Sequence, residues 1–189
     1  MSEPSWLAKR MVKSILNDSD TQKIKSFSFS GIGFDPKTFP LLAGFVDRDQ
    51  IKVEYNSSLD GSAEYDYKTN TIFVGFRFAG TYSNTALVVH ECVHAVYDVA
   101  KTKMSVAISE AIAYIVQCQY VYANAGPGKR LSSKNAKKDA VFQQAWMIAA
   151  SIQEGKPLSQ NDKNNLIAAV SEHPFYAKDA KSDAGFDGV

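Results

Sequence analysis

The sequence has little cysteine, little histidine and almost no net charge. It contains two cysteines and three histidines in 189 residues, and its 21 basic residues are balanced by 20 acidic ones. Cys92 and Cys118 both lie within apolar helical patterns, so no disulfide framework is implied. Charges of both signs are mixed without long runs, which leaves no overall field to attract nucleic acid or anionic lipid. Neither a nucleic acid nor a membrane is therefore expected as a partner.

Long hydrophobic runs are also missing. The first twenty residues, MSEPSWLAKRMVKSILNDSD, are amphipathic, and Lys9, Arg10 and Lys13 interrupt their apolar residues. This stretch lacks the apolar core and the small-residue cleavage site of a secretory signal peptide. We expect the chain to be cytoplasmic as synthesised, and export by a route that needs no signal stays open.

The hydrophobic fraction of 45% is enough for one core, and the patterning predicts an α+β fold with the strands first. Alternation at Ile51, Val53 and Tyr55, and again over 65–76, predicts a small antiparallel sheet of about three strands. Strand 71–76 is a candidate exposed edge for an extended peptide, although an internal strand is the competing interpretation. Helical spacing predicts helices over 5–16, 85–100, 105–123, 135–154 and 160–172. The segment 26–39, rich in glycine, proline and aromatic residues, is predicted to be irregular. A single domain over 1–177 and a mobile tail over 178–189 are expected.

Two of the three histidines fall in one motif, His90-Glu91-Cys92-Val93-His94, inside a predicted helix. The spacing is H-E-x-x-H, which places both imidazoles on one face of the helix, where they can bind one metal ion. Glu91 points to the same side and is predicted to take a proton from water rather than to bind the metal. A pair of buried core histidines is the alternative, but the valines of this helix already form a separate apolar arc.

A catalytic zinc site needs a third protein ligand, and Glu110 is the best candidate. Glu110 stands in an otherwise apolar helix, where burying a carboxylate costs several kcal/mol unless it is paired or bound to a metal. Tyr114 and Gln117 follow it on the same face. The predicted ligands are therefore His90, His94 and Glu110, with Zn²⁺ as the cofactor.

These residues resemble the gluzincins, the thermolysin-like superfamily of metallopeptidases, in which a Glu on the following helix completes the H-E-x-x-H site. The resemblance covers about residues 71–121 and rests on His90-Glu91-Cys92-Val93-His94 and Ser109-Glu110-Ala111-Ile112-Ala113. It implies a zincin-like domain in which His90, His94 and Glu110 bind zinc and Glu91 is the general base. The third histidine and the glycine of metzincins are absent after His94.

Other side chains around the motif have several interpretations. Asp98 lies too far along the helix to be a third ligand, because positions i and i+8 are about 12 Å apart. It is predicted to orient His94 as an outer partner, to cap the helix end or to be solvated. The donor that stabilises the oxyanion is predicted to be Tyr114, and the other candidates are Tyr97, Tyr176 and His173. Cys118 is interpreted as a small buried hydrophobic residue rather than a ligand.

The leading hypothesis is a zinc metallopeptidase that hydrolyses peptide or amide bonds, with a peptide or protein as substrate. A peptidoglycan peptide or amide hydrolase of effector type is the second hypothesis, and a non-catalytic zinc-binding interaction module is the third. The sequence gives no direct sign of an inhibitor or immunity protein.

Overall fold

The computed structural model describes residues 3–189, and this part of the chain contains six α-helices and five β-strands. The predicted α+β class is confirmed. The chain forms two compact units. The first consists of the residues up to Gln22 together with Pro36–Thr102 and Gly185–Val189, and the second consists of Lys23–Asp35 and Lys103–Ala184.

The first unit contains a three-stranded sheet made of β3 (Lys52–Tyr55), β4 (Ala63–Asp66) and β5 (Thr71–Val74). Its order is β3-β5-β4, with β4 antiparallel and β3 parallel to β5. The small sheet and its antiparallel β4–β5 pair were predicted, but the parallel β3–β5 pair makes the sheet mixed. The turn between β4 and β5 is short, and a short turn can join only antiparallel neighbours. The Asp66 carboxylate stabilises this turn by accepting the N–H of Lys68 at 3.0 Å. β3 pairs with the other side of β5, so β5 is an internal strand, which was the competing interpretation of 71–76, and it is not an exposed edge.

Three helices belong to the first unit: α1 (Glu3–Leu16), α2 (Thr38–Asp47) and α3 (Tyr82–Val99). α1 packs against β3 and buries Ala8, Val12, Ile15 and Leu16. α2 was not predicted, because two prolines and two glycines suggested an irregular segment. Pro40 lies in the first turn of α2, where a missing N–H costs no intrahelical hydrogen bond. The buried side chains of α2 have ordinary helical spacing: Phe39, Leu42, Ala43 and Val46.

The second unit begins with a hairpin of β1 (Phe27–Phe29) and β2 (Ile32–Phe34), which sequence patterning also missed. Ser30 and Gly31 both have positive φ, as a tight two-residue hairpin turn requires. Three helices follow, α4 (Val106–Ala125), α5 (Ala136–Gln153) and α6 (Gln160–Glu172), close to the predicted ranges. Both α5 and α6 pack against α4.

A buried glutamine ties the chain before this hairpin to α4. Gln119 is fully buried, its Oε1 accepts the N–H of Lys25 at 3.0 Å, and its Nε2 donates to the Lys25 carbonyl at 3.3 Å. Gln153 on α5 donates to the same Oε1 at 2.9 Å. These bonds satisfy main-chain groups that no neighbouring strand pairs with.

Residues 178–189, predicted to be a mobile tail, have defined contacts in both units. In the second unit Asp183 forms a β-bridge with Ser105, and Ala184 donates its N–H to Met104. In the first unit Asp187 and Gly188 donate their N–H groups to Asp98. The mobility of this segment stays a prediction.

Both cysteines are free and completely buried, Cys92 on α3 and Cys118 on α4. Burial raises the pKa of both thiols above their ordinary range, and the charge of Glu91 raises that of Cys92 further. Over residues 3–189 no helix is long and apolar enough to cross a membrane.

Candidate metal centre

The helix that carries the motif begins earlier than the sequence indicated. Thr81 is its N-cap, and its Oγ1 accepts the N–H of Asn84 at 3.1 Å. From this cap α3 runs through the motif to Val99. His90, Glu91 and His94 are exposed by only 5%, 7% and 8% of their surfaces, so all three are buried polar side chains that need specific partners.

His90 and His94 lie one helical turn apart on α3, as the motif predicted. Their rings are edge to face, with centroids 5.1 Å apart. Glu110 lies on α4, whose first turn is capped by Ser105, and its side chain is half-buried. One imidazole nitrogen from each histidine and one carboxylate oxygen of Glu110 all lie within 4.8 Å of one another. This His-His-Glu cluster can hold a metal ion.

The donor types fit a transition metal. Two imidazole nitrogens and one carboxylate oxygen are ligands used by zinc in hydrolytic sites and by iron(II) in non-haem oxygenases. Magnesium and calcium prefer an all-oxygen set, which this cluster does not offer. The residues predicted as ligands from sequence are thus the residues whose donor atoms come together.

Glu91, the acidic residue of the motif, is hydrogen-bonded to the sheet. Its Oε2 accepts the main-chain N–H of Tyr65, on the edge strand β4, across 2.9 Å. This main-chain hydrogen bond helps to fix the orientation of the Glu91 carboxylate. The geometry is compatible with the predicted base, whose role stays a prediction.

Asp98 is fully buried near the end of α3 and accepts hydrogen bonds with both oxygens. Its Oδ2 accepts the phenol O–H of Tyr65 at 2.5 Å, and its Oδ1 accepts the N–H groups of Asp187 and Gly188 at 3.0 Å each. Asn70 adds a further donor to Oδ2 at 3.0 Å in the amide orientation that satisfies its neighbours. Asp98 is therefore not solvated, and its predicted role as an outer partner of His94 stays a prediction.

Three of the four candidate oxyanion donors lie together in the second unit. The phenol oxygens of Tyr114 and Tyr176 are 3.4 Å apart, and the rings of Tyr176 and His173 have centroids 4.9 Å apart. Burial and then the charge of Lys138 lower the pKa of His173, while Glu110 opposes the shift. Tyr97 lies instead on α3, where burial raises its pKa. The role predicted for Tyr114 stays a prediction.

Sequence patterning missed Tyr65 and the segment Gly185–Val189. Tyr65 is 26 positions from Glu91 and 33 from Asp98, and Asp187 and Gly188 are 89 and 90 positions from Asp98. No local spacing signals partners so far apart. The sequence could have indicated only that Asp98, if it is buried, needs hydrogen-bond donors.

Comparison with protein-family models, with curated proteins and with solved structures finds no match to this chain.

Proposed function

We propose that this protein is a zinc-dependent hydrolase of peptide or amide bonds, similar to the gluzincin metallopeptidases. One observation carries the proposal: His90, His94 and Glu110 bring three ligand atoms within 4.8 Å of one another, and the Glu91 carboxylate of the same H-E-x-x-H motif accepts the N–H of Tyr65. Three ligands and a separate carboxylate are the parts that hydrolysis by activated water needs.

In this proposal His90, His94 and Glu110 hold the ion. A zinc ion bound by three side chains supplies a Lewis acid and lowers the pKa of water to about 7. Glu91 accepts a proton from water as general base and returns it to the leaving amine as general acid. The N–H of Tyr65 orients the Glu91 carboxylate for both transfers. Tyr114 is the proposed hydrogen-bond donor to the developing oxyanion.

The first test is metal content combined with a Glu91→Gln variant. The purified protein should contain about one equivalent of zinc by elemental analysis, as expected for one three-ligand site. Glu91→Gln should keep this zinc and lose turnover, because an amide cannot accept the proton. Glu54→Gln, an exposed glutamate on the other edge strand, is the matched control and should behave as the unchanged protein. Turnover retained by metal-replete Glu91→Gln would exclude the mechanism.

The substrate class is tested in two parallel assays. The metal-replete protein is incubated with a protein mixture and, separately, with purified peptidoglycan, and new termini are detected by mass spectrometry. Cleavage of proteins supports the leading hypothesis, whereas release of peptidoglycan fragments alone supports a wall hydrolase. Stoichiometric zinc with no cleavage in either assay would contradict the proposed enzyme and favour a zinc-binding interaction module.

A further inference from the structure

Tyr65 contacts α3 at two carboxylates that lie seven residues apart. Its main-chain N–H donates to Glu91, and its phenol O–H donates to Asp98. Seven residues correspond to about 10 Å along a helix, so one tyrosine fixes β4 to α3 at two separated points. Burial, and then the hydrogen bond and charge of Asp98, raise the pKa of Tyr65 above its ordinary range. The phenol therefore keeps its proton and remains the donor.

The other oxygen of Asp98 fixes the segment Gly185–Val189 to the same helix. Consecutive N–H groups of Asp187 and Gly188 converge on Oδ1 at 3.0 Å each. Gly185 has φ of +82°, and a Cβ there would lie 2.7 Å from the Tyr67 ring. Gly188 has φ of +93°, and a Cβ there would overlap the Lys101 side chain. Positive φ and the closeness of Tyr67 and Lys101 thus favour glycine at both positions.

Between these contacts the segment brings Phe186 to His94. The centroids of the two rings are 6.4 Å apart and the ring planes are inclined by 45°, within the range of attractive aromatic pairs. A ligand imidazole must keep one orientation for its nitrogen to reach the metal, and neighbouring groups normally fix it. Phe186 is placed to restrict the rotation of the His94 ring.

Asp98 is thus connected to both parts of the motif, although no hydrogen bond joins it directly to either. We propose that Asp98 is a positioning residue that acts on Glu91 through Tyr65 and on His94 through Phe186. The inference rests on the proposed function for the roles of Glu91 and His94. It assigns a function to Tyr65 and Phe186, and it makes Gly185–Val189 part of the metal centre.

The connection through Tyr65 to Glu91 and the connection through Phe186 to His94 predict different defects. Tyr65→Phe removes only the phenol hydroxyl, so β4 loses its anchor at Asp98 and the N–H that orients Glu91 shifts. We expect kcat to fall about 10- to 100-fold, the range for removing an outer partner of a site, with KM and zinc affinity within twofold. Tyr55→Phe removes a hydroxyl from the other edge strand and is the matched control.

Gly185→Ala tests the second connection without changing Asp98 or Phe186. The added methyl group displaces the segment from Tyr67. We expect zinc affinity to fall about 10- to 100-fold, and the visible spectrum of the cobalt-substituted protein to shift because the contact of Phe186 with His94 is lost. Phe186→Leu should give the same loss, and Gly128→Ala, where a Cβ meets nothing within 4 Å, should not. Asp98→Asn should combine both defects.

A purely structural role for these residues would give a different result. All variants would then lower the melting temperature and, assayed well below it, would keep the kcat, KM, zinc affinity and cobalt spectrum of the unchanged protein. That outcome overturns the inference. It is also overturned if Tyr65→Phe and Gly185→Ala produce the same defect, because the two connections would not be separate.

Measurements on the metal-free protein distinguish a failure of the proposed function from a failure of this inference. Side-chain NMR of the imidazoles should show the His94 signals shifting in Gly185→Ala while those of His173 stay in place. The amide signal of residue 65 should shift in Tyr65→Phe and remain in Tyr55→Phe. These shifts without zinc binding or turnover would refute the hydrolase and leave the two connections standing, and their absence would refute the connections.

Discussion

His90 and Glu91 are adjacent on α3 but have different partners. A nitrogen of His90 belongs to the cluster with His94 and Glu110, whereas Glu91 accepts the N–H of Tyr65 on β4. Successive residues of a helix point about 100° apart, so neighbouring side chains can serve separate purposes. The metal binding proposed for His90 and the proton transfer proposed for Glu91 can therefore be tested by separate substitutions.

Glu110 is expected to be a metal ligand. Glu110→Ala removes the carboxylate and leaves the two imidazoles, so zinc affinity should fall by more than about 100-fold, beyond the effect of losing an outer partner. A competition titration with a chelating dye measures this change. Glu172→Gln, an exposed carboxylate at the end of α6, is the control. Unchanged affinity in Glu110→Ala would assign the third ligand to another residue.

His173 is expected to make stability depend on pH. Its pKa is lowered in the folded protein, mainly by burial, from an ordinary value of 6.5. The unfolded chain therefore takes up a proton at higher pH than the folded protein, and the free energy of unfolding falls as the pH drops below about 6.5. Protonation also removes the Nδ1 acceptor of the Phe175 N–H. Between pH 5 and 7.5, the free energy of unfolding measured with urea should vary less with pH in His173→Gln than in the unchanged protein. An equal variation with pH would assign the dependence to other groups.

Gln119 is expected to contribute strongly to stability. Gln119→Leu replaces the amide by an apolar side chain of similar size and leaves the N–H and C=O of Lys25 without their side-chain partner. An unsatisfied polar group costs about 1–3 kcal/mol when it is buried, and these bonds are part-buried, so the free energy of unfolding in urea should fall by about 1 kcal/mol or more. Gln143→Leu at an exposed position of α5 should change it by less than about 0.5 kcal/mol. Equal effects of the two substitutions would contradict the role of Gln119.

Thr81 is expected to stabilise the start of the motif helix. Thr81→Ala removes the Oγ1 that accepts the N–H of Asn84, and loss of an N-cap typically costs about 1 kcal/mol. Thr81→Ser keeps the hydroxyl and should restore most of the loss. Chemical denaturation measures both variants, and zinc affinity should stay unchanged because the cap lies more than two turns from His90. If serine failed to restore stability, the effect would not come from the cap.

Sequence patterns predicted the features of this protein that depend on residues close together in the chain. The motif spacing placed His90 and His94 on one face of the helix. The cost of burying the Glu110 carboxylate in an apolar helix led to the prediction that it would lie with them as a ligand. α2 was missed because two prolines and two glycines suggested an irregular segment, although the first turn of a helix tolerates a proline such as Pro40. The parallel pairing of β3 with β5 depends on the path of the whole chain between them. The bonds of Tyr65 to Glu91 and Asp98 are equally non-local, and no spacing encodes them.

The burial of both thiols has a practical consequence. A maleimide reagent can reach Cys92 only when α3 opens, because its sulfur is completely enclosed and lies between two residues of the motif. In a Cys118→Ala background, the rate of alkylation would report how often the helix around His90 and His94 comes apart. Alkylation of Cys92 would thus measure local unfolding of the helix that carries two of the proposed metal ligands.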